Sequence, residues 1–359
     1  MTSTKQTNSK RVAILIENQF EDLQLTIPET ALKQAGAEIT VLGSRMNEKY
    51  SGKRGKIFRN PDATVSEMRA SDFDAIVIPV GAIRTNPFAV KFVSAAIALD
   101  KIIATVGCGL QVLIETKQLS GKKVTGFHSI RTDIENAGAI YVKDPVVVDG
   151  NLITARKPAD LPMFTTTLLD RLELKIKGMT LPETSDRTFA WWKLGQKWNG
   201  SSRADITKAL NTAIVGERYT LEAFKQYSYR SSDEELRGLL QEISTIKQRH
   251  VQLLEAHLYN AFKEQVGWQA VGSEAYAALI SWLQSSNELS ILRRALGDIQ
   301  TGVVDIYHLS CQLSAPETVA ILEEIEHDLM KYEERLVDLY QGRSGDRVKP
   351  PLPTTIAAV

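Results

Sequence analysis

From Arg11 to about Leu174, short β-branched apolar runs alternate with stretches of helical spacing. In order these are RVAILI, a helix to Ala35, EITVL, DAIVIP, a helix around NPFAVKFVSAAIAL, KIIATV, a further helix, VVVD, LITA and a last helix. This alternation predicts a parallel sheet with helices on both faces. Ligands of such folds sit at the carboxyl ends of the strands. Those ends are residues 17–21, Val80 with Gly81, and Gly107 with Cys108, so three separate segments converge on one candidate pocket.

Beyond Lys175 the pattern breaks. Residues 175–203 mix turn formers with Trp191, Trp192 and Trp198 and read as a linker. Three wet indoles would expose a large apolar surface, so the segment is expected to dock on one domain or on a partner chain. After Ala204 strand signals vanish and the chain reads as helical to about Gln341. Ser232 with Glu235, and Ser314 with Pro316 and Glu317, fit capping boxes, and Ser286 or Asn287 marks a further start. The result is four long helices, with a short extra one in EAYAALISWLQ between the second and third, which predicts a bundle with a long crossover. The expected division is 1–174 α/β domain, 175–203 linker, 204–341 helical bundle and 342–359 flexible Pro-rich tail.

Composition narrows the function classes. Basic and acidic residues balance at 43 each, which argues against a nucleic-acid partner. The two cysteines, Cys108 and Cys311, lie in segments of different type and fit a reducing compartment, so a cytoplasmic protein is expected. The polar start MTSTKQTNSKR and the lack of an eighteen-residue apolar run predict neither a secretory signal nor a membrane span.

The stretches FEDLQLTIPETALKQAGAEITVLG, DFDAIVIPVG, GLQVLIET and GKKVTGFHSIRTDIENAGA, with VVVDGNLITARKPADLPMF, resemble the ThiJ/PfpI family of class I glutamine-amidotransferase-like proteins over nearly all of residues 10–173. The resemblance implies a flavodoxin-like three-layer α/β/α sandwich. It also implies a nucleophilic cysteine at a strand-to-helix elbow, followed by histidine and accompanied by a glutamate from the first βα loop. Glu21 matches that glutamate. Aligning Gly109 and Gln111 with the family's Cys-His-Gly-x-Gln run puts Gly107 at the nucleophile position and Cys108 at the histidine position. A one-residue gap before the elbow would instead make Cys108 the nucleophile, at the expense of the match through GLQVLIET. The loop after IPVG is also too short for the glutamate that PfpI-like proteases contribute across a subunit interface. A cysteine one residue past the apex points elsewhere, although a helix N-terminus there would favour its thiolate. If the site is active, its catalytic set is Cys108, Glu21 and His128, the last in GFHSI. The ligand pocket is Glu21, Val80, Gly81, Gly107, Cys108 and Gly109.

The helical half, with GERY on its first helix and EIEH on its last, resembles the ferritin-like superfamily at the level of fold and loose motif. Active di-iron members of that fold carry a carboxylate on each of two helices and Glu-x-x-His on the other two. Leu210, Ile214, Leu221 and Phe224 form a stripe with Glu217 in its middle, and His250 and His257 lie on the stripe of the second helix. Lys247, however, occupies the position three before His250, where a di-iron site needs glutamate. Glu324 and His327 of EIEH fall away from the stripe of Leu322, Ile325, Leu329, Tyr332 and Leu336. The inward polar set is therefore Glu217, His250 and His257, with Asp305 at its margin and Tyr219 and Tyr307 as candidate hydroxyl donors. No metal or other cofactor is expected, and Glu217, His250 and Asp305 are the residual candidates for a metal. A structural hydrogen-bonded pair is the simpler use of a buried carboxylate beside histidine.

Taken together, these features predict a non-proteolytic ThiJ/PfpI-like domain fused to a ferritin-like bundle. It would act as a homodimer in binding, assembly or stress and redox sensing, with a possible small-molecule ligand. The alternatives are a cysteine-dependent amidase, glyoxalase or deglycase using Cys108, and a metal-dependent oxidase or iron-handling protein using the bundle.

Overall fold

The computed structural model describes residues 9–55, 57–186, 188–266 and 287–344. The chain falls into two compact units, one running to Ser202 and including Ser314–Pro316, the other comprising Arg203–Leu313 and the residues from Glu317 on.

The first unit is built on a seven-stranded sheet. Its strands are β1 (Arg11–Leu15), β2 (Glu38–Gly43), β3 (Ala63–Thr64), β4 (Ala75–Ile78), β5 (Ile102–Val106), β6 (Val146–Asp149) and β7 (Leu152–Ala155), in the spatial order β6-β7-β5-β4-β1-β2-β3. Val12, Ala13, Ile14 and Leu15 of the central β1 are all fully buried, as are all four residues of β4. Helices cover both faces, and this is why these strands read as unbroken apolar runs. Helix α1 (Asp22–Gln34) packs on α5 (Leu161–Arg171), whereas α2 (Pro87–Ala98) packs on α3 (Leu110–Thr116), giving the two helical layers, with a short α4 (Arg131–Asn136) following α3. Asn86 caps α2 by accepting the Phe88 N–H at 2.9 Å, with Pro87 at the first helical position.

The sheet is not wholly parallel. Strand β6 pairs antiparallel with β7, because only Gly150 (φ +62°) and Asn151 separate them and a parallel crossover needs a dozen residues or more. Residues 175–202 belong to this first unit. Trp191 and Trp198 are buried in the same apolar core as the sheet, and the Trp191 indole N–H donates to the Asp186 carbonyl at 2.9 Å.

The second unit contains α7 (Arg203–Arg230), α8 (Glu234–Phe262), α9 (Glu288–Cys311) and, from Glu317 on, α10 (Pro316–Ser344); a short α6 (Trp191–Lys197) precedes it in the first unit. The expected extra helix in EAYAALISWLQ lies outside the described residues, as does the tail after Ser344. One expected cap is corrected. Asp233, not Ser232, caps α8 by accepting the Leu236 N–H at 2.9 Å, since Ser232 donates its N–H and hydroxyl to Glu288. The Ser314 hydroxyl is taken by the Ser201 N–H at 2.8 Å, and Ser314 N–H returns the bond to the Ser201 hydroxyl. Among the described residues no helix is long and apolar enough to cross a membrane.

Candidate functional sites

Strand β5 ends in the turn Gly107–Gly109, from which α3 departs. Gly107 takes φ +57°, a left-handed conformation that an L side chain adopts only with strain, so it is the apex of the elbow. Cys108 is the next residue. The turn is packed so tightly that side chains are excluded at two more positions. A Cβ on Gly81 would lie 2.4 Å from the Cys108 carbonyl oxygen, and one on Gly109 would lie 2.2 Å from the Ile78 carbonyl oxygen. A Cβ on Gly107 would stand 3.3 Å from Gln24 Nε2 on α1, so the ends of β4 and β5 and the start of α1 meet here. Val80, Gly81, Gly107, Cys108 and Gly109 are therefore one cluster.

Among the described residues, neither of the remaining expected partners bonds to Cys108. Glu21 stands at the N-cap of α1, and its carboxylate accepts a 2.8 Å bond from Arg54, a residue the sequence reading did not single out. Arg54 also donates its backbone N–H to the buried Asp22 at 3.2 Å. The His128 side chain is exposed on the short turn His128–Ile130 and, among the described residues, makes no hydrogen bond or ion pair, so it joins neither Cys108 nor Glu21. Burial works against the thiolate that a helix N-terminus would favour at Cys108. Burial pushes its thiol up from the ordinary value, and the nearby Lys53 charge offsets this only in part. A half-buried thiol with a raised pKa is a poor nucleophile at neutral pH.

The interior of the helical unit holds a second constellation. Glu217 on α7 and Lys247 and His250 on α8 are all buried. Lys247 Nζ donates to Glu217 Oε1 at 3.0 Å and lies 5.8 Å from the Phe224 ring centroid, while His250 Nδ1 is 3.0 Å from Glu217 Oε2. Burial raises the Glu217 carboxyl, but Lys247 and His250 together outweigh it and hold the group below the ordinary range. His250 Nε2 faces Asp328 on α10 at 3.4 Å, and Asp328 leads outward to Arg249 and Lys331.

The acid contributed by α9 is Asp298, not Asp305, which is exposed. Tyr227 donates to Asp298 at 2.6 Å and Arg294 lies at 3.4 Å, while burial, aided by the Asp298 charge, raises the Tyr219 phenol beside the same network. Tyr307 is exposed and Tyr219 half-buried. Burial raises the Asp298 carboxyl against the opposing pull of Tyr227, Arg294 and Lys247, and burial with Asp298 raises the Tyr227 phenol strongly. Asp298 was legible in principle, because it continues the buried spacing Ile291, Leu292, Ala295, Asp298, Ile299. His257, half-buried, meets the Thr318 hydroxyl at 2.9 Å and is pushed down by burial. Glu324 and His327 of EIEH are exposed, as their phase implies.

A ferritin-like fold implies a metal centre, and these residues do not fit one. The ammonium of Lys247 occupies Glu217, the carboxylate that a metal would need, and stands where a second ligand belongs. Among the described residues no three or more His, Cys, Asp or Glu side chains are grouped to hold an ion.

Comparison with known proteins places both units. The profile of the DJ-1/PfpI family matches residues 10–171. General stress protein 18 of Bacillus subtilis is 38% identical over 169 residues, covering 98% of that protein and 46% of this chain. YraA of the same organism, provisionally named a cysteine protease, is 37% identical over 169 residues, 99% of its length and 46% of this chain. Both relatives stop at the α/β unit. A crystal structure of a two-domain protein from Anabaena variabilis containing DJ-1/ThiJ/PfpI-like and ferritin-like domains matches with a TM-score of 0.90 and 48% identity, covering 97% of this chain and 100% of that one.

Proposed function

The chain belongs to the DJ-1/PfpI family, and from that premise we propose that it is a non-proteolytic member whose α/β unit binds a small ligand, the ferritin-like unit serving assembly. The observation that carries this reading is the glycine at the apex of the elbow, with the cysteine one residue beyond it. A glycine there has no nucleophile to present, and the displaced thiol has lost both expected partners, Glu21 to Arg54 and His128 to solvent. The raised thiol also favours ligand binding over redox sensing, since sensor cysteines are accessible and of low pKa. Homodimer formation belongs to the same reading and is tested by light scattering of the full chain.

A second reading, a cysteine-dependent amidase, glyoxalase or deglycase using Cys108, is favoured by the relative named as a protease and by the Lys53 charge near the thiol. One experiment separates the two. Wild type and Cys108→Ser are assayed for hydrolysis of casein and a peptide anilide and for methylglyoxal consumption, and iodoacetamide labelling of Cys108 is followed against pH with Cys311 as internal comparison. The proposed reading expects no turnover that Cys108→Ser removes, and a labelling half-point above the free-thiol value of roughly 8.5. Turnover abolished by Cys108→Ser, with a half-point below that value, refutes it in favour of the enzyme.

A further inference from the structure

We infer that Lys247 is a built-in replacement for the metal of the ferritin-like fold: its buried ammonium supplies the internal positive charge and keeps Glu217 and His250 from holding a divalent cation. The inference concerns the helical unit alone and does not depend on the reading of Cys108. Its starting point is a charge that needs explaining. A lysine with no solvent exposure, set three residues before a buried histidine, is costly unless anions surround it. Here they do. Glu217 Oε1 lies 3.0 Å from its Nζ, and its charge also acts on the buried Asp298. The Phe224 ring face lies 5.8 Å away.

The anions around Lys247 come from the helices that carry carboxylate ligands in a di-iron bundle, one from α7 and one from α9, while His250 stands in its Glu-x-x-His place on α8. The arrangement keeps a carboxylate-rich interior and changes the cation. An ammonium and a metal ion cannot share Glu217, because both need the same lone pairs and their charges repel over a few ångströms of low-dielectric interior. His250 is committed in the same way, with Nδ1 on Glu217 and Nε2 toward Asp328.

The test uses the full-length protein and Co(II), whose visible absorption reports nitrogen and oxygen ligation. Wild type, Glu217→Gln, His250→Ala, Lys247→Glu, and Lys247→Glu combined with either Glu217→Gln or His250→Ala are each titrated with Co(II) and analysed for bound metal after gel filtration. Wild type is expected to give no ligand-field band that Glu217→Gln removes. Lys247→Glu is expected to take up about one equivalent per chain, with a new band lost in both double variants. Metal bound by wild type and lost on Glu217→Gln or His250→Ala would overturn the inference, and so would a folded Lys247→Glu variant that takes up none. Should Lys247→Glu not fold, Lys247→Ala carries the same test, because it removes the ammonium without adding a second anion beside Glu217. Uptake of Co(II) by that variant supports the inference, and no uptake overturns it.

Discussion

Lys247→Met keeps the length and most of the volume of the side chain while deleting its charge, so it isolates what the ammonium contributes. At the 3.0 Å separation from Glu217, and with an effective dielectric constant of 20, the Coulombic attraction lost is about 5 kcal/mol. The net cost is smaller, because the ammonium no longer has to be desolvated. Stranding one member of a buried pair usually costs about 3–5 kcal/mol. Glu217 keeps its bond to His250, which places the expectation near the low end, at about 3 kcal/mol. Adding Glu217→Gln to Lys247→Met removes the stranded charge and should recover at least half of the loss, since neutral replacement of a buried pair is often tolerated. Amide exchange in α7 and α8, read by mass spectrometry in the native state, suits a chain of two units better than one global transition. If the double variant is no more stable than Lys247→Met alone, the loss came from packing and the electrostatic argument fails. If Lys247→Met costs less than about 0.5 kcal/mol, the pair contributes nothing of note.

Two further perturbations probe the same structure. Gly109→Ala should destabilise the α/β unit by about 1–3 kcal/mol, because its Cβ would meet the Ile78 carbonyl at 2.2 Å. Gly107→Ala should cost chiefly the left-handed strain of about 1–2 kcal/mol, its nearest contact being the mobile amide of Gln24 at 3.3 Å, so urea unfolding that ranks Gly107→Ala as the worse variant contradicts the geometry. The pH dependence of exchange in the helical unit should show stability falling in two stages on acidification. Burial lowers the folded-state pKa of His257, so as pH drops below the ordinary 6.5 the unfolded chain gains a proton that the fold resists. Glu217 is lowered in the folded state, so its contribution persists above the ordinary 4.5 and is lost as pH falls through its depressed value. The raised Asp298 works in the opposite sense above its ordinary 3.8 and softens the second stage. His257→Gln should remove the upper stage alone, and a profile unchanged by that substitution sinks the assignment.

The two-unit architecture was legible because its two periodicities differ so plainly. Runs such as AIVI and IIATV have no polar alternation, and Leu210, Ile214, Glu217 and Phe224 recur at helical spacing. What escaped the sequence was pairing across elements. Ser232 and Asp233 are both good caps, and the choice between them was made by Glu288, fifty-six residues away in sequence from Ser232. The antiparallel β6 could have been read from its two-residue connection, but the surrounding βα rhythm outweighed it. At the elbow the sequence placed Gly107 at the apex, yet it carried no sign that Arg54, thirty-three residues on, would hold Glu21. In the bundle the phase of Asp298 was as clear as that of Glu217. Asp305, by contrast, falls to the side of that stripe and is exposed.

The two units share one physical logic. A reactive centre stores cost in the fold, either as an L residue held at positive φ or as buried anions waiting for a cation. At Gly107 the strain is absent because no Cβ is present, while the close packing of Gly81 and Gly109 that shapes the turn is kept. At Lys247 the interior anions are neutralised from within the chain, without a ligand that must be acquired. On the proposed reading, each arrangement relieves the cost at the point where chemistry would be done and leaves the surrounding geometry in place. If both centres were still reactive, Gly107 and Lys247 would be the residues whose replacement by an ordinary side chain stabilises the fold; if the costs have been relieved, each replacement destabilises it.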